Sequence, residues 1–410
     1  MSKNENIKNS IKETRQRRQN MDCKVFELKI DYSHLSKQQK EYLKRLFLEK
    51  KWLRNTLLAN FDKYTEKDKF ENVDIKVKDR FEVREINFLS SQMKQSIYDE
   101  IKTNIFALAR SKKKDNKIGK LKFTTECNMI ELKQFGNTYK IVRNKVKLQG
   151  NKKLFKINGL KQIPSDGEFA NAKLIRKPSG YYVQVTYYVP RKEIKKNGLG
   201  IGFDFGIKDN IIDSFGDKYN FKFEETKRLK KASRNSNRYY AKTKSSSRKS
   251  NKILKREFEK ISNRKKDAKN KFISKLKEYE IIAVQNENLS GWKSSKMKGW
   301  GKRIQHSIMG GIIGDIKKMP QTVIIDRWFP STKTCPICGL VNIIPLTERV
   351  YRCECGYVAD RDTKSAITIL YKAIKQVGEH NLNLQESFIT DLLSNGSKLN
   401  NLVDSRSQAL

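Results

Sequence analysis

Histidine is nearly absent from this chain: His34, His306 and His380 are the three among 410 residues, scattered and without ligand spacing. That scarcity argues against chemistry built on a His-containing triad or a His-based nuclease centre. Long apolar runs are missing too. No stretch approaches the roughly 20 apolar residues that a bilayer span needs, and Met1–Asn20 is polar and basic with no apolar centre of a signal peptide. A soluble, cytoplasmic chain is the expectation, with no membrane partner. Acidic residues are the third shortage. Lys and Arg number 88 against 45 Asp and Glu, a formal net charge of +43. A chain this basic repels itself unless a polyanion neutralises it; nucleic acid fits that need, and a membrane surface is the competing reading.

Six cysteines are present and used unevenly. Cys23 and Cys127 stand alone in or beside apolar stretches and read as reduced, half-buried fillers. The other four form Cys335-Pro336-Ile337-Cys338-Gly339 and Cys353-Glu354-Cys355-Gly356, with 14 residues between the pairs. Two turns that aim thiolates at one point make a tetrahedral Zn²⁺ site, and a glycine after each pair allows a tight turn. Four thiolates leave no open position, so such a metal is structural. The second pair is one residue shorter than the usual spacing, and four reduced cysteines without metal is the bland alternative.

The chain divides by pattern. Residues 1–20 read as a disordered basic arm. Residues 22–31 alternate as a strand. Ser36 and Gln39 make a capping box before a helical pattern running from Tyr42 to Phe61, and a second amphipathic helix spans about 90–110. From 121 to 190 short strands are expected at 121–123, 139–142, 145–148, 154–157 and 181–188, enough for a small barrel that the strand at 22–31 completes. After Gly198 the pattern turns α/β, with strands at 199–205, 210–214, 281–287 and 322–326. Between them, residues 222–280 hold 22 Lys/Arg against 7 Asp/Glu, interleaved with Tyr239, Tyr240, Phe258 and Phe272. A charge run is usually a solvated face; the aromatics turn this one toward nucleic-acid contact. The tail from Gly378 reads as loosely ordered.

Three acids stand out by setting. Asp204 lies near the end of the apolar run Gly200-Ile201-Gly202-Phe203-Asp204-Phe205-Gly206, Glu287 ends Ile281–Glu287, and Asp362 opens a helical pattern. Carboxylates at strand ends face the edge where ligands bind, and three of them can hold two Mg²⁺ ions across a phosphodiester. Taken singly, each has an equal bland reading: Asp362 a helix cap, Asp204 a turn residue, Glu287 a surface charge.

The segments Gly202-Phe203-Asp204-Phe205-Gly206-Ile207, Gln285-Asn286-Glu287-Asn288-Leu289, Asp326-Arg327-Trp328-Phe329-Pro330-Ser331-Thr332-Lys333-Thr334-Cys335, and Cys355-Gly356-Tyr357-Val358-Ala359-Asp360-Arg361-Asp362 resemble TnpB. TnpB proteins are transposon-encoded, RNA-guided nucleases related to the miniature type V CRISPR effectors. The resemblance is specific over residues 199–372 and fainter before them. It implies a multidomain α+β chain: a RuvC-like (RNase-H-like) α/β nuclease at 199–328 and 357–377, interrupted by a zinc ribbon at 329–356. A β-barrel wedge at 21–34 and 118–198 and a helical recognition lobe at 35–117 come before it, with the tail at 378–410. It also implies Asp204, Glu287 and Asp362 as the Mg²⁺-binding catalytic carboxylates, Arg327 as a supporting residue, and Cys335, Cys338, Cys353 and Cys355 as Zn²⁺ ligands. A guide RNA and double-stranded target DNA are the implied partners of a prokaryotic, monomeric or homodimeric enzyme. One departure is Lys364, where the family pattern Asp-x-Asn-x-Ala has Asn. The implied function is RNA-guided DNA cleavage; a nuclease-inactive RNA-guided repressor and a DNA transposase are the rival readings.

Overall fold

In the computed structural model, described for residues 3–393 except 78, 79, 222, 245–247, 295–299, 346 and 386, contacts divide the chain into two compact units, Met1–Lys192 and Glu193–Leu410.

The first unit runs α1 (Lys3–Gln19), β1 (Met21–Ile30), α2 (Lys37–Ala59), β2 (Asn72–Val77), β3 (Arg80–Glu85), α3 (Ser91–Lys112), β4 (Met129–Leu132), β5 (Tyr139–Val142), β6 (Lys145–Leu148), β7 (Phe155–Asn158), β8 (Glu168–Lys177) and β9 (Gly180–Pro190). Seven strands form one antiparallel sheet in the order β4-β8-β9-β1-β7-β6-β5. The N-terminal strand sits at its centre, paired with β9 from Met21↔Pro190 to Lys29↔Tyr182. α2 and α3 are therefore an excursion between β1 and β4. The excursion shares the sheet's core: Leu43, Leu46, Leu53, Met93 and Ile97 pack in one cluster with Leu28, Ile130, Val146, Phe155 and Val183.

Local chemistry sets the helix starts. The Ser36 hydroxyl accepts from the Gln39 amide and Gln39 Oε1 from the Ser36 amide, the reciprocal box expected from sequence. Buried Glu49 on α2 accepts from the amides of Phe88 (2.8 Å) and Leu89 (3.1 Å), which fixes the turn into α3.

Several expectations change in this unit. The arm expected to be disordered is helical over Lys3–Gln19, and Arg17 and Arg18 both bond Glu168 on β8 (2.7 and 2.5 Å). Residues 121–123 are not a strand. Side chains of α2 take that segment's backbone instead: Arg54 donates to the Lys122 carbonyl (3.2 Å), and Asn55 bonds both the amide and the carbonyl of Thr124 (3.0 Å each). The β2–β3 hairpin and strands β4 and β8 were not expected. Cys127 is buried as anticipated, whereas Cys23 is exposed.

The second unit runs β10 (Gly200–Phe205), β11 (Ile211–Asp213), β12 (Lys218–Tyr219), α4 (Lys227–Thr243), α5 (Arg248–Leu276), β13 (Ile281–Gln285), α6 (Leu289–Ser294), α7 (Trp300–His306), α8 (Met309–Ile316), β14 (Thr322–Ile325), β15 (Val350–Arg352), β16 (Val358–Asp360), α9 (Arg361–Val377) and α10 (Phe388–Leu393). Its main sheet has the order β12-β11-β10-β13-β14. The first three strands are antiparallel, and β10, β13 and β14 are parallel. β13 is buried along its whole length, which explains its unbroken apolar run.

α9 lies directly on β10. Its Ile367, Leu370, Ala373 and Ile374 are fully buried in a core with Ile201, Phe203, Val284 and Phe388. The approach is close because β10 carries glycines there. A Cβ on Gly202 would stand 2.3 Å from the Ala366 carbonyl oxygen and 2.8 Å from the Leu370 Cβ.

Three expectations change in the second unit. The tail is ordered as far as Leu393: Phe388 and Leu392 are fully buried, and Gln385 bonds the carbonyls of Asn197 (3.0 Å) and Gly198 (2.9 Å). The remainder, 394–410, lies outside the described residues. The β15–β16 hairpin crosses the expected ribbon boundary at 356, so the ribbon continues to Asp360. Phe272 is buried in the core against Phe203, Tyr219 and Phe221 rather than displayed with the basic residues.

Gly202→Ala is expected to force α9 off β10 and to lower the thermal midpoint, with an overpacking cost of about 1–3 kcal/mol. Gly119→Ala, where a Cβ meets nothing within 4 Å, is the control. Equal melting of the two variants would show that the close approach is not a constraint.

Candidate active site and cysteine metal centre

The pairing of β10 with β13 puts the C-terminal ends of the two strands side by side, with Phe203 opposite Val284. Asp204 is the next residue on β10. Glu287 lies two residues beyond β13, after a turn in which its amide bonds the Gln285 carbonyl (2.9 Å). Asp362 is the second residue of α9. The three acids come from segments far apart in sequence, and Asp204 feels the charges of the other two. The Asp204 carboxyl is pushed up to about 7, by burial first and then by the charges of Asp362 and Glu287. Glu287 is also raised by burial, with Arg327 and Lys317 opposing.

Asp362 is not the helix cap. That role belongs to Asp360, whose carboxylate accepts from the amides of Asp362 (3.1 Å) and Thr363 (3.0 Å). The Asp362 carboxylate instead meets Arg349 (3.0 Å) and Arg361 (3.2 Å). Arg327 sits beside Glu287 and bonds the Asn286 carbonyl (3.2 Å). Carboxylates that repel one another under partial burial take up either protons or cations. The three carboxylates are not gathered as closely as a preformed ligand cluster among the described residues, so what links them here is the electrostatic effect on Asp204; oxygen donors of this type suit a hard divalent ion such as Mg²⁺.

The four cysteine sulfurs all lie within 4.8 Å of one another and form the one such group of potential ligands among the described residues. Cys335 and Cys355 are 3.7 Å apart, Cys338 and Cys353 3.5 Å. The short second knuckle closes as well as the first. Cys335 N bonds Leu340 O (2.8 Å) and Gly339 N bonds Cys335 O (3.1 Å). In the second knuckle Cys353 N bonds Tyr357 O (2.9 Å) and Gly356 N bonds Cys353 O (3.0 Å), one residue sooner. Gly339 and Gly356 both take positive φ, 75° and 86°, which these turns need. The Cys353 thiol is held down to about 6 by the Cys355 backbone amide first, then by the neighbouring thiols. The cluster fits a zinc ribbon.

Several residues that matter locally carried no signal of that role. Lys364 is fully buried, and its ammonium donates to the carbonyls of Ser331 (2.9 Å), Thr332 (2.6 Å) and Thr334 (3.0 Å) while lying 3.9 Å above the Tyr351 ring. Desolvation brings its pKa down to about 8. It pins the segment leading into Cys335 onto α9. Asp213 is buried with its carboxyl pushed up to about 7, chiefly by burial, and it accepts from the amides of Phe215 and Asp217 (2.9 Å each) and from Tyr219 Oη (3.0 Å). Its role is to hold the β11–β12 turn. The Asp-x-x-Gly sequence at 213–216 was the readable signal for that turn.

Two outcomes are expected from these contacts. Folded-state pKa values of about 7 at Asp204 and Asp213 exceed the ordinary carboxylate value, so the folded chain binds more protons than the unfolded one between about pH 4 and 7. Without divalent cations, stability should therefore fall as pH rises through that window. Asp204→Asn should reduce the slope and Mg²⁺ should raise stability most above pH 7, as followed by thermal melts. An unchanged slope in Asp204→Asn would contradict the assigned shift. Lys364→Met should remove the clamp on the cysteine segment, lower the melting midpoint and speed zinc loss to a chelator. Unaltered zinc release would show that other contacts hold the ribbon.

A family model described as "Cas12f1-like, TNB domain" matches residues 317–369, which include Arg327, all four ribbon cysteines, Asp362 and Lys364. A protein of Streptomyces pristinaespiralis, provisionally named an RNA-guided DNA endonuclease, is 30% identical over 184 residues, 42% of this chain and 44% of that protein. A protein of Acanthamoeba polyphaga mimivirus, provisionally named transposase R186, is 42% identical over 72 residues, 17% of this chain and 14% of that one. The chain thus spans less than half the length of these curated relatives. Among solved structures, the cryo-EM structure of a Cas12f1–sgRNA–target DNA complex aligns with 85% of this chain and 99% of that chain at 12% identity and a TM-score of 0.40. Through the matched segment 317–369 and the relative at 30% identity, the chain is similar to TnpB/Cas12f-like proteins.

Proposed function

We propose that this chain is an RNA-guided DNA endonuclease with a RuvC-like, RNase-H-like catalytic unit, its catalytic carboxylates being Asp204, Glu287 and Asp362. The observation that carries the reading is the lift of the Asp204 carboxyl to about 7, caused by burial and by the other two acids. Asp213 is lifted as far, chiefly by burial, so it is the added charge effect of Asp362 and Glu287 on Asp204 that supports a shared site. The sheet supports the reading: an antiparallel meander continuing into parallel strands, with α9 laid over the first strand, suits an RNase-H-like unit. The name given to the Streptomyces relative supports a guided nuclease.

Two Mg²⁺ ions held there would activate water and stabilise the leaving oxygen of the phosphodiester. The chain's own residues position the acids. Asp204 feels both other acids, Glu287 from beyond the end of β13 and Asp362 from the first turn of α9. Arg349 and Arg361 orient the Asp362 carboxylate, and Arg327 braces the strand end at Asn286. The basic helices α4 and α5, with exposed Tyr239, Tyr240 and Phe258, supply phosphate contacts and stacking surfaces. Such contacts position a nucleic acid without reading it, so base pairing to a guide RNA supplies the sequence. In the first unit, the sheet serves as the wedge and the α2–α3 excursion as the recognition lobe. Lys364 leaves the carboxylates in place, since its ammonium is committed to three backbone carbonyls.

A transposase-type reading draws on the name of the mimivirus relative. Its activity would survive RNase treatment, whereas guided cutting would not. The decisive test uses the chain purified with its co-expressed RNA and a matching DNA target. Asp204→Ala should abolish Mg²⁺-dependent cutting, and the same RNA should stay bound. Cutting retained by Asp204→Ala would refute the site.

A further inference from the structure

Trp328 is 83% exposed, the most open of the large aromatics among the described residues. An indole left in water forfeits the largest apolar burial a side chain offers, so its display needs a reason. Its setting is rigid. Trp328 N donates to Asp326 Oδ1 (2.8 Å), which closes a tight turn. Beneath that turn the buried Gln285 amide donates to the carbonyls of Asp326 (3.1 Å), Arg327 (3.1 Å) and Phe329 (2.7 Å). Its Oε1 accepts from Ser331 Oγ (3.0 Å). One side chain thus grips the backbone on both sides of Trp328. Gln285 is the last residue of β13, two before Glu287, and Arg327 bonds the carbonyl of Asn286 between them. The loop that displays the indole and the turn that carries Glu287 are one hydrogen-bonded piece.

On these contacts, and resting on the nuclease reading above, we propose that Trp328 is a nucleobase-stacking subsite that seats the DNA strand being cut beside Asp204, Glu287 and Asp362. A flat, exposed ring on a preorganised loop suits an unpaired base, because every base has a π-face and the backbone beneath the ring is already ordered. The flanking Arg327 and the chain's +43 charge favour a polyanionic ligand over an apolar protein surface. The subsite is blind to sequence. It holds a base and so fixes the attached phosphate, which makes Trp328 a positioning residue.

The test uses the full chain with its bound RNA, carrying Asp204→Ala so that the strand stays intact. Binding of a labelled single-stranded DNA oligonucleotide is followed by fluorescence anisotropy at raised salt, where phosphate contacts weaken. Trp328→Ala should lose about tenfold in affinity, and Trp328→Phe should keep most of it. On an oligonucleotide with a run of abasic sugars, the parent and Trp328→Ala should bind alike. Equal affinity of the Ala variant and its parent on intact DNA overturns the proposal. So does a loss of the same size on intact and abasic strands, which would mean that the residue acts through loop shape or another surface. The cutting test with Asp204→Ala is separate: if the wild-type chain does not cut while the base-dependent loss at Trp328 persists, the nuclease reading fails and the subsite stands.

Discussion

The close contact of α9 with β10 is the constraint on which the second unit depends. It exists because Gly200 and Gly202 leave no side chain between strand and helix: a Cβ on Gly200 would stand 2.8 Å from Ile281 Cγ2 and 3.0 Å from Leu370 Cδ1. The glycines weaken the strand's own propensity, and burial of Ile367, Leu370 and Ala373 against it compensates. The same helix begins with Asp362, so the packing that makes the core also delivers a carboxylate to the end of β10. Core and site cannot be varied independently there.

Electrostatics gives the site its character. In a chain with 88 Lys and Arg, most acids are outnumbered by cations. At the strand ends the balance is reversed for Asp204, which feels two other acids across partly buried space. Arginines meet the other two: Arg349 and Arg361 at Asp362, Arg327 at Glu287. A carboxylate raised by burial and by neighbouring acids marks a candidate functional site. Asp213 is the useful contrast. Its carboxyl is lifted as far, yet two amides and a tyrosine hydroxyl use up its oxygens.

Legibility followed the length scale of each signal. The capping box at Ser36, the apolar runs of β10 and β13, and the glycines after each cysteine pair are written in consecutive residues, and each could be read. Strand β8 could not: half-buried residues on both faces blur its alternation. Phe272 looked like one aromatic among lysines, because no local pattern tells a helix's core face from its basic face when lysines occupy both sides of it. Helix α1 is polar apart from Ile7 and Ile11, so composition spoke for disorder; Glu168, some 150 residues away, anchors its end. Lys364 was legible as a departure but not as a clamp, since its three partners lie about 30 residues earlier in sequence.

Traced through its contacts, the site is a closed ring. β10 pairs with β13, and β13 ends in Gln285, whose amide grips the loop at 326–329. That loop continues to Ser331, Thr332 and Thr334, whose carbonyls hold Lys364 on α9. α9 returns to β10 through the glycines. Each carboxylate sits on a different member of the ring, and the exposed Trp328 on a fourth. The knuckle cysteines hang from the loop at Cys335, so a metal held by them would stiffen one side of the ring without touching the acids. A slack ring would let Glu287 and Asp362 move away from Asp204, whose ionisation they oppose. This is a physical reason for the cysteine cluster to lie between β14 and α9: zinc bound there would tighten the connection between the strand that leads to Glu287 and the helix that presents Asp362.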